Sequence, residues 1–303
     1  MKLSIMIFLL MSVFSLISVA FLTLMERKLL SYIQVRKGPD KVGMMGVFQP
    51  FSDAIKLFSK EFIFPLKTNF FPYWLSPAFS LILSLIVWVS FPYSFYVSSW
   101  KLTIMFMFSI LSVGVYSIMI SGWSSNSSYS ILGSIRSVAQ SVSYEVSFFI
   151  MLLSMIFFVG SLSLTDFLMI QYKMWLIIFT FPVFLMLFVS LLAELNRTPF
   201  DFSEGESELV SGFNIEYGGT GFAFLFLSEY LNIIFSSMLI SVFFFSSSSW
   251  DLLFFIKICF FSFLIILIRG SLPRYRYDKL MNMCWKSYLG STLLLMIFYA
   301  SIT

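Results

Sequence analysis

Acidic side chains are concentrated in one short segment of this sequence. Residues 200–217, FDFSEGESELVSGFNIEY, contain five of the fifteen acidic residues in a chain of 303. The five acids are Asp201, Glu204, Glu206, Glu208 and Glu216. Like charges in a partly dry site cannot all stay ionised, because repulsion and desolvation both disfavour the charged form. The segment can therefore hold and release protons as a group.

The alternation of small and acidic residues predicts that these acids lie in a loop, which we place at about residues 195–219. Gly205 and Ser207 separate Glu204, Glu206 and Glu208, whereas one face of a helix takes residues three or four apart. A solvated surface loop is the alternative interpretation. Apolar residues between the acids favour a segment that packs as well as hydrates; they are Phe200, Phe202, Leu209, Val210, Phe213 and Ile215.

The composition indicates an integral membrane protein. Hydrophobic residues make up 59% of the chain and charged residues 11%, whereas about a quarter of a soluble domain is charged. A membrane-spanning helix needs about 20 apolar residues. Eight stretches meet this need, roughly residues 3–24, 70–91, 102–122, 138–160, 174–193, 220–243, 251–269 and 286–302. Because the connections are short, we predict a single all-α membrane domain over residues 1–303.

Three more carboxylates fall within or at the ends of these predicted spans. Glu194 ends the fifth span, and at 1.5 Å per residue Glu145 lies about 10 Å and Glu229 about 15 Å from the acid-rich face. An ionised carboxylate at the bilayer centre costs at least about 2.5 kcal/mol, so such residues usually face the bundle interior and mark an ion or proton route. The alternative for each is a hydrogen bond to a neighbouring helix. Their graded depth favours the proton route.

Basic residues near these acids are candidate charge partners. Arg136 precedes Glu145 by nine residues, and Arg197 follows Glu194 by three, a helical spacing that can hold Glu194 ionised. Lys257 lies inside the seventh predicted span. It can extend towards the interface or serve as a counter-ion within the bundle, and the sequence leaves both open.

The distribution of positive charge predicts the orientation of the chain. Loops 1–2, 3–4, 5–6 and 7–8 hold fifteen of the nineteen lysines and arginines. The positive-inside rule places these loops on the cytoplasmic or matrix side. The acid-rich segment lies on the same side, where partners and chemistry are expected.

The first of these loops contains a predicted amphipathic helix at about residues 47–62. Its apolar face is formed by Phe48, Phe51, Ile55, Phe58 and Phe62. Asp53, Lys56 and Lys60 occupy another face, a pattern typical of a helix lying in the plane of the membrane interface. Such a helix either anchors the chain on anionic lipid or covers a cavity for an amphiphile.

The sequence argues against a redox cofactor or metal site held by this chain alone. It has no histidine, and its two cysteines, Cys259 and Cys284, are far apart. Haem ligation by histidine, zinc sites and iron–sulfur clusters need more ligands than these, and no glycine-rich dinucleotide motif is present. We therefore expect no metal and no complete catalytic site.

Four segments together resemble one known family. They are ERKLLSYIQVRKGPDKVGMMGVFQPFSDAIKLFSKE, SGWSSNSSYSILGSIRSVAQSVSYE, AELNRTPFDFSEGESELVSGFNIEY and RGSLPRYRYDKL. They closely resemble the chain 1 family of NADH:ubiquinone oxidoreductase, the subunit of respiratory complex I at the junction of its peripheral and membrane arms. Homologous subunits of membrane-bound hydrogenases share the pattern.

The resemblance implies a fold and a set of site residues. The fold is eight transmembrane helices with an amphipathic helix in loop 1–2. The quinone-binding residues implied are Arg27, Arg36, Phe51, Asp53, Lys56, Phe222 and Phe226. The acidic, proton-coupling path implied comprises Glu145, Glu194, Asp201, Glu204, Glu206, Glu208, Glu216 and Glu229, with Arg136 and Arg197 as charge partners.

The same resemblance implies a function, partners and a location. The chain is expected to form much of the ubiquinone chamber and the acidic path that couples quinone reduction to proton pumping. FMN and iron–sulfur clusters are expected only in partner subunits of the membrane and peripheral arms, and the chain is expected to contact membrane lipids but no nucleic acid. The mitochondrial inner membrane is the expected location, with the basic loops in the matrix.

Three other functions fit parts of the sequence. A proton-coupled transporter or channel acting alone would use the same buried acids, and a hydrogenase subunit would differ only in its partners. A purely structural anchor for a peripheral arm explains the basic loops but leaves Glu145 and Glu229 unexplained.

Overall fold

The computed structural model describes residues 2–93, 101–172, 174–203, 205, 209–210, 212–245 and 251–302, with side chains from Met6 onward. Throughout these ranges the regular structure is helical, in agreement with the predicted all-α class. The helices are α1 (Lys2–Ile33), α2 (Gln49–Ser59), α3 (Phe70–Val87), α4 (Thr103–Ser124), α5 (Ser128–Val159), α6 (Leu164–Ile170), α7 (Phe181–Glu194), α8 (Gly219–Ile240), α9 (Leu252–Ser271), α10 (Tyr277–Asn282) and α11 (Leu289–Ile302). Short 3-10 turns occupy Met44–Gly46, Trp88–Ser90, Leu176–Ile178 and Gly212–Asn214, and π-helical turns occupy Ser241–Phe245 and Met283–Tyr288.

Six of the described helices are long and apolar enough to cross a membrane. They cover Met6–Ile33, Phe70–Ser90, Thr103–Ser124, Ser128–Val159, Gly219–Phe245 and Leu252–Ser271. The fifth and eighth predicted spans correspond to α7 and α11, which have 14 residues each. That is about 21 Å of helix against a hydrocarbon core of about 30 Å. The multi-pass membrane architecture is confirmed, and the count of eight spans stays a prediction.

Proline explains why α7 is shorter than the predicted span over residues 174–193. The helix begins at Phe181, which places Pro182 in its first turn. There the missing N–H of proline is tolerated, whereas in a helix interior it removes a hydrogen bond and the ring clashes with the preceding turn.

Helix α5 begins at Ser128, ten residues before the predicted start of the fourth span at residue 138. The serines that resemble a polar connection are buried in the helix. Ser134 and Ser137 donate their hydroxyls to carbonyls three residues earlier, at 2.9 and 2.8 Å. Because this bonding satisfies the hydroxyl inside its own helix, the serines pack like small apolar residues, and Arg136 lies on the helix instead of in a loop.

Helix α8 is the most deeply buried of the six long apolar helices and packs against α1, α2, α3 and α9. Polar side chains bind the carbonyls at its π-helical end. Gln171 donates to Val242 O at 2.7 Å and to Phe243 O at 3.0 Å. Lys257 donates to Phe245 O and lies 4.9 Å from the centre of the Trp175 ring. Lys257 thus satisfies carbonyls that a helix end leaves unpaired, a role that the sequence did not indicate.

The predicted amphipathic helix at residues 47–62 corresponds to α2, Gln49–Ser59. Its aromatic residues contact the bundle: Phe51 lies 6.3 Å from Phe21 of α1, and Phe58 lies 6.1 Å from Phe224 of α8, measured between ring centres. The helix therefore rests across α1 and α8, and its place in the membrane interface stays a prediction.

Close packing of α4 on α5 at Gly122 is testable. A Cβ atom at this position would lie 2.3 Å from Ser134 Cβ and 2.9 Å from Ser130 O. We expect Gly122→Ala to destabilise the protein by about 1–3 kcal/mol, because the added methyl group forces the helices apart. Gly114→Ala is the matched control on the same helix, since an added Cβ there meets no atom within 4 Å. Thermal unfolding in detergent compares the two, and equal midpoints would contradict the close approach.

Candidate functional site

A cavity lies between α3, α4, α5, α7 and α8, and three carboxylates from three helices line it. They are Glu145 of α5, Glu194 at the end of α7 and Glu229 of α8. The cavity volume is about 100 Å³, which accommodates several water molecules, since one needs about 10–15 Å³. The structure therefore brings together the three intramembrane acids that the sequence singled out.

Serine hydroxyls give the cavity wall its polar character. Ser84 of α3, Ser117 of α4 and Ser228 of α8 line it, and each donates its hydroxyl hydrogen to a carbonyl of its own helix at 2.7–2.8 Å. With the donor used, the hydroxyl oxygen presents acceptor lone pairs. Such a wall suits donors such as water or a protonated carboxyl group.

Glu145 lines a second space as well as the cavity. It lines a second, more open groove between α4 and α5, together with Phe108, Ser109, Ser112, Val146, Phe149 and Ile150. Its carboxylate therefore lies in the wall between the interior cavity and the outer surface of the chain. Of the three cavity acids, Glu145 alone lines both the cavity and the groove in the part of the chain that the structure describes.

Glu229 pairs with Arg197, thirty-two residues earlier in the chain, at 3.0 Å. The arginine is only 5% exposed, and its guanidinium lies 4.7 Å from the centre of the Tyr230 ring. Charge pairing and a cation–π contact together offset the cost of burying the arginine. Arg197 is thus shared between an acid of the cavity and the neighbouring tyrosine.

A second, partly buried ion pair adjoins the first, and sequence reasoning missed it. Glu26 of α1, 4% exposed, accepts a hydrogen bond from Arg269 of α9 and another from the Tyr230 hydroxyl at 2.5 Å. The predicted first span ended at residue 24, which placed Glu26 in a loop, whereas α1 continues to Ile33. Contacts therefore run from Glu229 through Arg197 and Tyr230 to Glu26 and Arg269.

The described part of the acidic segment is held at its beginning by the connection between α9 and α10. Asp201 pairs with Arg274 at 3.2 Å, and the Tyr275 N–H donates to Pro199 O at 2.9 Å. The predicted site residues Glu204, Glu206 and Glu208 lie outside the described residues.

The end of the segment is held by two stacked tyrosines. The rings of Tyr73 and Tyr217 are parallel, with centres 4.4 Å apart, and the Tyr73 hydroxyl donates to Glu216 O at 2.5 Å. The Tyr217 hydroxyl donates to Ser121 O at 3.3 Å. Burial raises the pKa of Tyr217, so it stays protonated and keeps donating near neutral pH.

The predicted quinone-binding residues lie around α1, α2 and α8, beside the Glu26 pair. Arg27 and Asp53 form an ion pair that joins α1 to α2. Phe222 and Phe226 of α8 are in contact, with ring centres 4.2 Å apart and ring planes tilted by 42°, and the Phe226 ring centre lies 6.4 Å from that of Tyr230. The other predicted quinone-binding residues, Arg36, Phe51 and Lys56, are exposed in the isolated chain. Arg136, predicted as a charge partner of the acidic path, is half-buried on α5.

Comparison with known proteins covers nearly the whole chain. The family model described as NADH dehydrogenase matches residues 5–300. NADH-ubiquinone oxidoreductase chain 1 of Aedes aegypti is 55% identical over 94% of this chain and 91% of the relative. The protein of the same name from Locusta migratoria is 54% identical over 98% of this chain and 94% of the relative, and that from Artemia franciscana is 51% identical over 95% of each.

The pair of Arg274 with Asp201 makes a testable contribution to the order of the acidic segment. We expect Arg274→Met to increase amide hydrogen exchange at residues 200–202 at least about fivefold, because the buried carboxylate of Asp201 loses this ion pair. Arg276→Met is the control, since Arg276 pairs with Asp278 on the surface, with both side chains more than two-thirds exposed, and exposed pairs contribute little. Equal exchange in the two variants would contradict the anchoring role.

Proposed function

This chain belongs to the NADH dehydrogenase family, among the proteins named NADH-ubiquinone oxidoreductase chain 1, and we propose that its cavity acids couple ubiquinone reduction to proton movement. It is a multi-pass membrane subunit of that enzyme. The single observation that carries the proposal is the convergence of Glu145, Glu194 and Glu229 on one polar cavity. Intramembrane carboxylates that share a hydrated space are suited to relay protons.

Ubiquinone is the substrate that the enzyme reduces, and we place its binding residues around α1, α2 and α8. The proposed set is Arg27, Arg36, Phe51, Asp53, Lys56, Phe222 and Phe226. The ion pair of Arg27 with Asp53 supplies polar groups near the quinone head, and the adjacent phenylalanines Phe222 and Phe226 of α8 supply an apolar surface for its ring and tail.

The coupling we propose is electrostatic. Reduction of a quinone takes up electrons and protons, so it changes the charge and the demand for protons beside α1 and α8. Glu26 responds to that change through Tyr230, whose ring centre lies 6.4 Å from that of Phe226 and whose hydroxyl donates to Glu26. Arg197 connects Tyr230 to Glu229. The altered field changes the proton occupancy of Glu229, Glu194 and Glu145 in turn.

The acidic segment forms the outer part of the same path in this proposal. Asp201, Glu204, Glu206, Glu208 and Glu216 exchange protons with the basic side of the membrane. Arg136 and Arg197 are the charge partners of the whole acidic path, which includes Glu145, Glu194 and Glu229. Contacts of Asp201 with Arg274 and of the Glu216 carbonyl with Tyr73 hold the two described ends of the segment, which supports this part of the proposal.

The wider assembly follows from the same proposal. The residues 1–303 form one domain with eight spans, in which α7 and the continuous helical stretch from α10 to α11 cross the membrane and α2 lies at the interface with lipid. FMN and the iron–sulfur clusters belong to partner subunits, because this chain has no histidine and two cysteines. The location is the mitochondrial inner membrane, with the basic loops in the matrix.

Glu194→Gln tests the proposed path. We expect it to lower quinone-reductase turnover, or the protons pumped per electron, at least about tenfold in the assembled complex, because the amide cannot exchange a proton. Glu204→Gln and Glu206→Gln are expected to act in the same direction. Asp166→Asn, on the exposed surface of α6, is the control for removing one acid elsewhere. Full turnover with unchanged proton stoichiometry in Glu194→Gln would refute the proposal.

Purification distinguishes this function from a transporter acting alone. We expect the chain in native detergent-solubilised membranes to co-purify with subunits that show flavin and iron–sulfur absorption. Visible spectra and subunit composition of the assembly provide the measurement. Proton transport by the isolated chain in liposomes would instead favour the transporter.

A further inference from the structure

Gln140 of α5 binds two carbonyls on either side of the turn that carries Glu194 and Arg197. Its Nε2 donates to Ala193 O at 2.7 Å and to Phe200 O at 2.9 Å. The side chain is fully buried. Ala193 immediately precedes Glu194, and Phe200 immediately precedes Asp201, so one carboxamide joins the backbone at both ends of residues 194–200.

The turn that Gln140 spans is compact. The Phe200 N–H donates to Arg197 O at 2.8 Å, and the Asn196 N–H donates to Ala193 O at 3.2 Å. Asn196 adopts a positive φ of 50°, an uncommon conformation for a residue with a side chain. A displacement of either carbonyl therefore moves Glu194 at one end of the turn and Arg197 in its middle.

The orientation of the carboxamide indicates that the two carbonyls determine its position. Both N–H hydrogens are used, while Oε1 is buried and has no hydrogen-bond partner among the residues that the structure describes. Buried polar atoms are usually satisfied. Each carbonyl also accepts a backbone N–H, Ala193 O from Asn196 and Phe200 O from Phe202, both at 3.2 Å, so the Gln140 nitrogen adds a second hydrogen bond to each and connects the two.

We infer that Gln140 is a positioning residue for proton transfer: by joining Ala193 O to Phe200 O, it fixes Glu194 at the cavity and Arg197 against Glu229. This inference rests on the proposed function of the cavity acids. Gln140 exchanges no proton itself. It acts through two groups whose separation from their neighbours decides whether a proton passes, and an error of about 1 Å in such geometry can lower a rate by up to a hundredfold.

The chain offers a matched control in Gln171, which has the same residue type, is buried, and also donates to two backbone carbonyls. Gln171 binds Val242 O and Phe243 O at the π-helical end of α8, about 20 Å along that helix from Glu229 by the rise per residue. If each glutamine only stabilised the fold, methionine in place of either would have the same consequences. If Gln140 has a positioning role, Gln140→Met lowers coupling and Gln171→Met does not.

The experiment compares Gln140→Met and Gln171→Met in the assembled complex, reconstituted into liposomes. Native gels measure the amount of complex, and proton uptake per NADH oxidised measures coupling. Both variants are expected to lower the amount of complex. In the complex that does assemble, we expect Gln140→Met to lower the protons moved per NADH at least about twofold and turnover about tenfold, with the Michaelis constant for quinone unchanged, whereas Gln171→Met leaves all three unchanged.

Two outcomes would overturn the inference. Wild-type proton stoichiometry in assembled Gln140→Met would exclude a positioning role, and equal loss of stoichiometry in both variants would assign the effect to general destabilisation. Glu194→Gln, measured in parallel, keeps the two proposals distinct. If Glu194→Gln loses coupling and Gln140→Met keeps it, the acidic path stands and only the role of Gln140 fails.

Discussion

A carboxylate inside an apolar bundle must be paired or hydrated, and the ion pair of Glu229 with Arg197 meets this need at the centre of the molecule. The pair joins α8 to the turn after α7. Arg197 comes from outside the helices, so the turn between Glu194 and Phe200 has to enter the bundle. That entry positions Glu194 at the same cavity as Glu229. The arrangement of α5, α7 and α8 therefore follows from the electrostatic cost of one buried charge.

Helix α8 can be buried deeply because polar groups satisfy it along its length. Its acid pairs with Arg197, its tyrosine donates to Glu26, and its π-helical end is bound by Gln171 and Lys257. A helix surrounded by protein cannot satisfy its terminal carbonyls with water. The side chains of α6, α9 and the connections replace water, and they also fix the rotation of α8, which decides that Ser228, Glu229 and Asn232 face the cavity.

The sequence predicted these acids well and the helix boundaries poorly, for physical reasons. A carboxylate in an apolar span is costly enough to be informative by itself, which is why Glu145, Glu194 and Glu229 could be grouped from their depth. The predicted fourth span began ten residues after the start of α5 because it was limited to the apolar stretch, whereas the buried serines before it satisfy their hydroxyls inside the same helix. Glu26 was missed because the predicted first span ended at the point where the apolar residues are followed by charged residues. Its partners Tyr230 and Arg269 lie more than two hundred residues away, and no local pattern indicates such a pairing.

The two largely buried ion pairs both contact Tyr230, and this shared contact explains how a charge change on one side of α8 reaches the other. Two unit charges about 4 Å apart in a protein interact by roughly 4 kcal/mol, whereas beyond about 10 Å salt and solvent screen much of the effect at exposed sites. If water filled the space between α1 and the cavity, a change of charge at α1 would act only weakly on the cavity acids. Arg197, which is buried, and Tyr230, which is half-buried, occupy the intervening space in contact with each other. The interaction therefore passes through short, unscreened steps, and its strength depends on the geometry of the turn that carries Arg197.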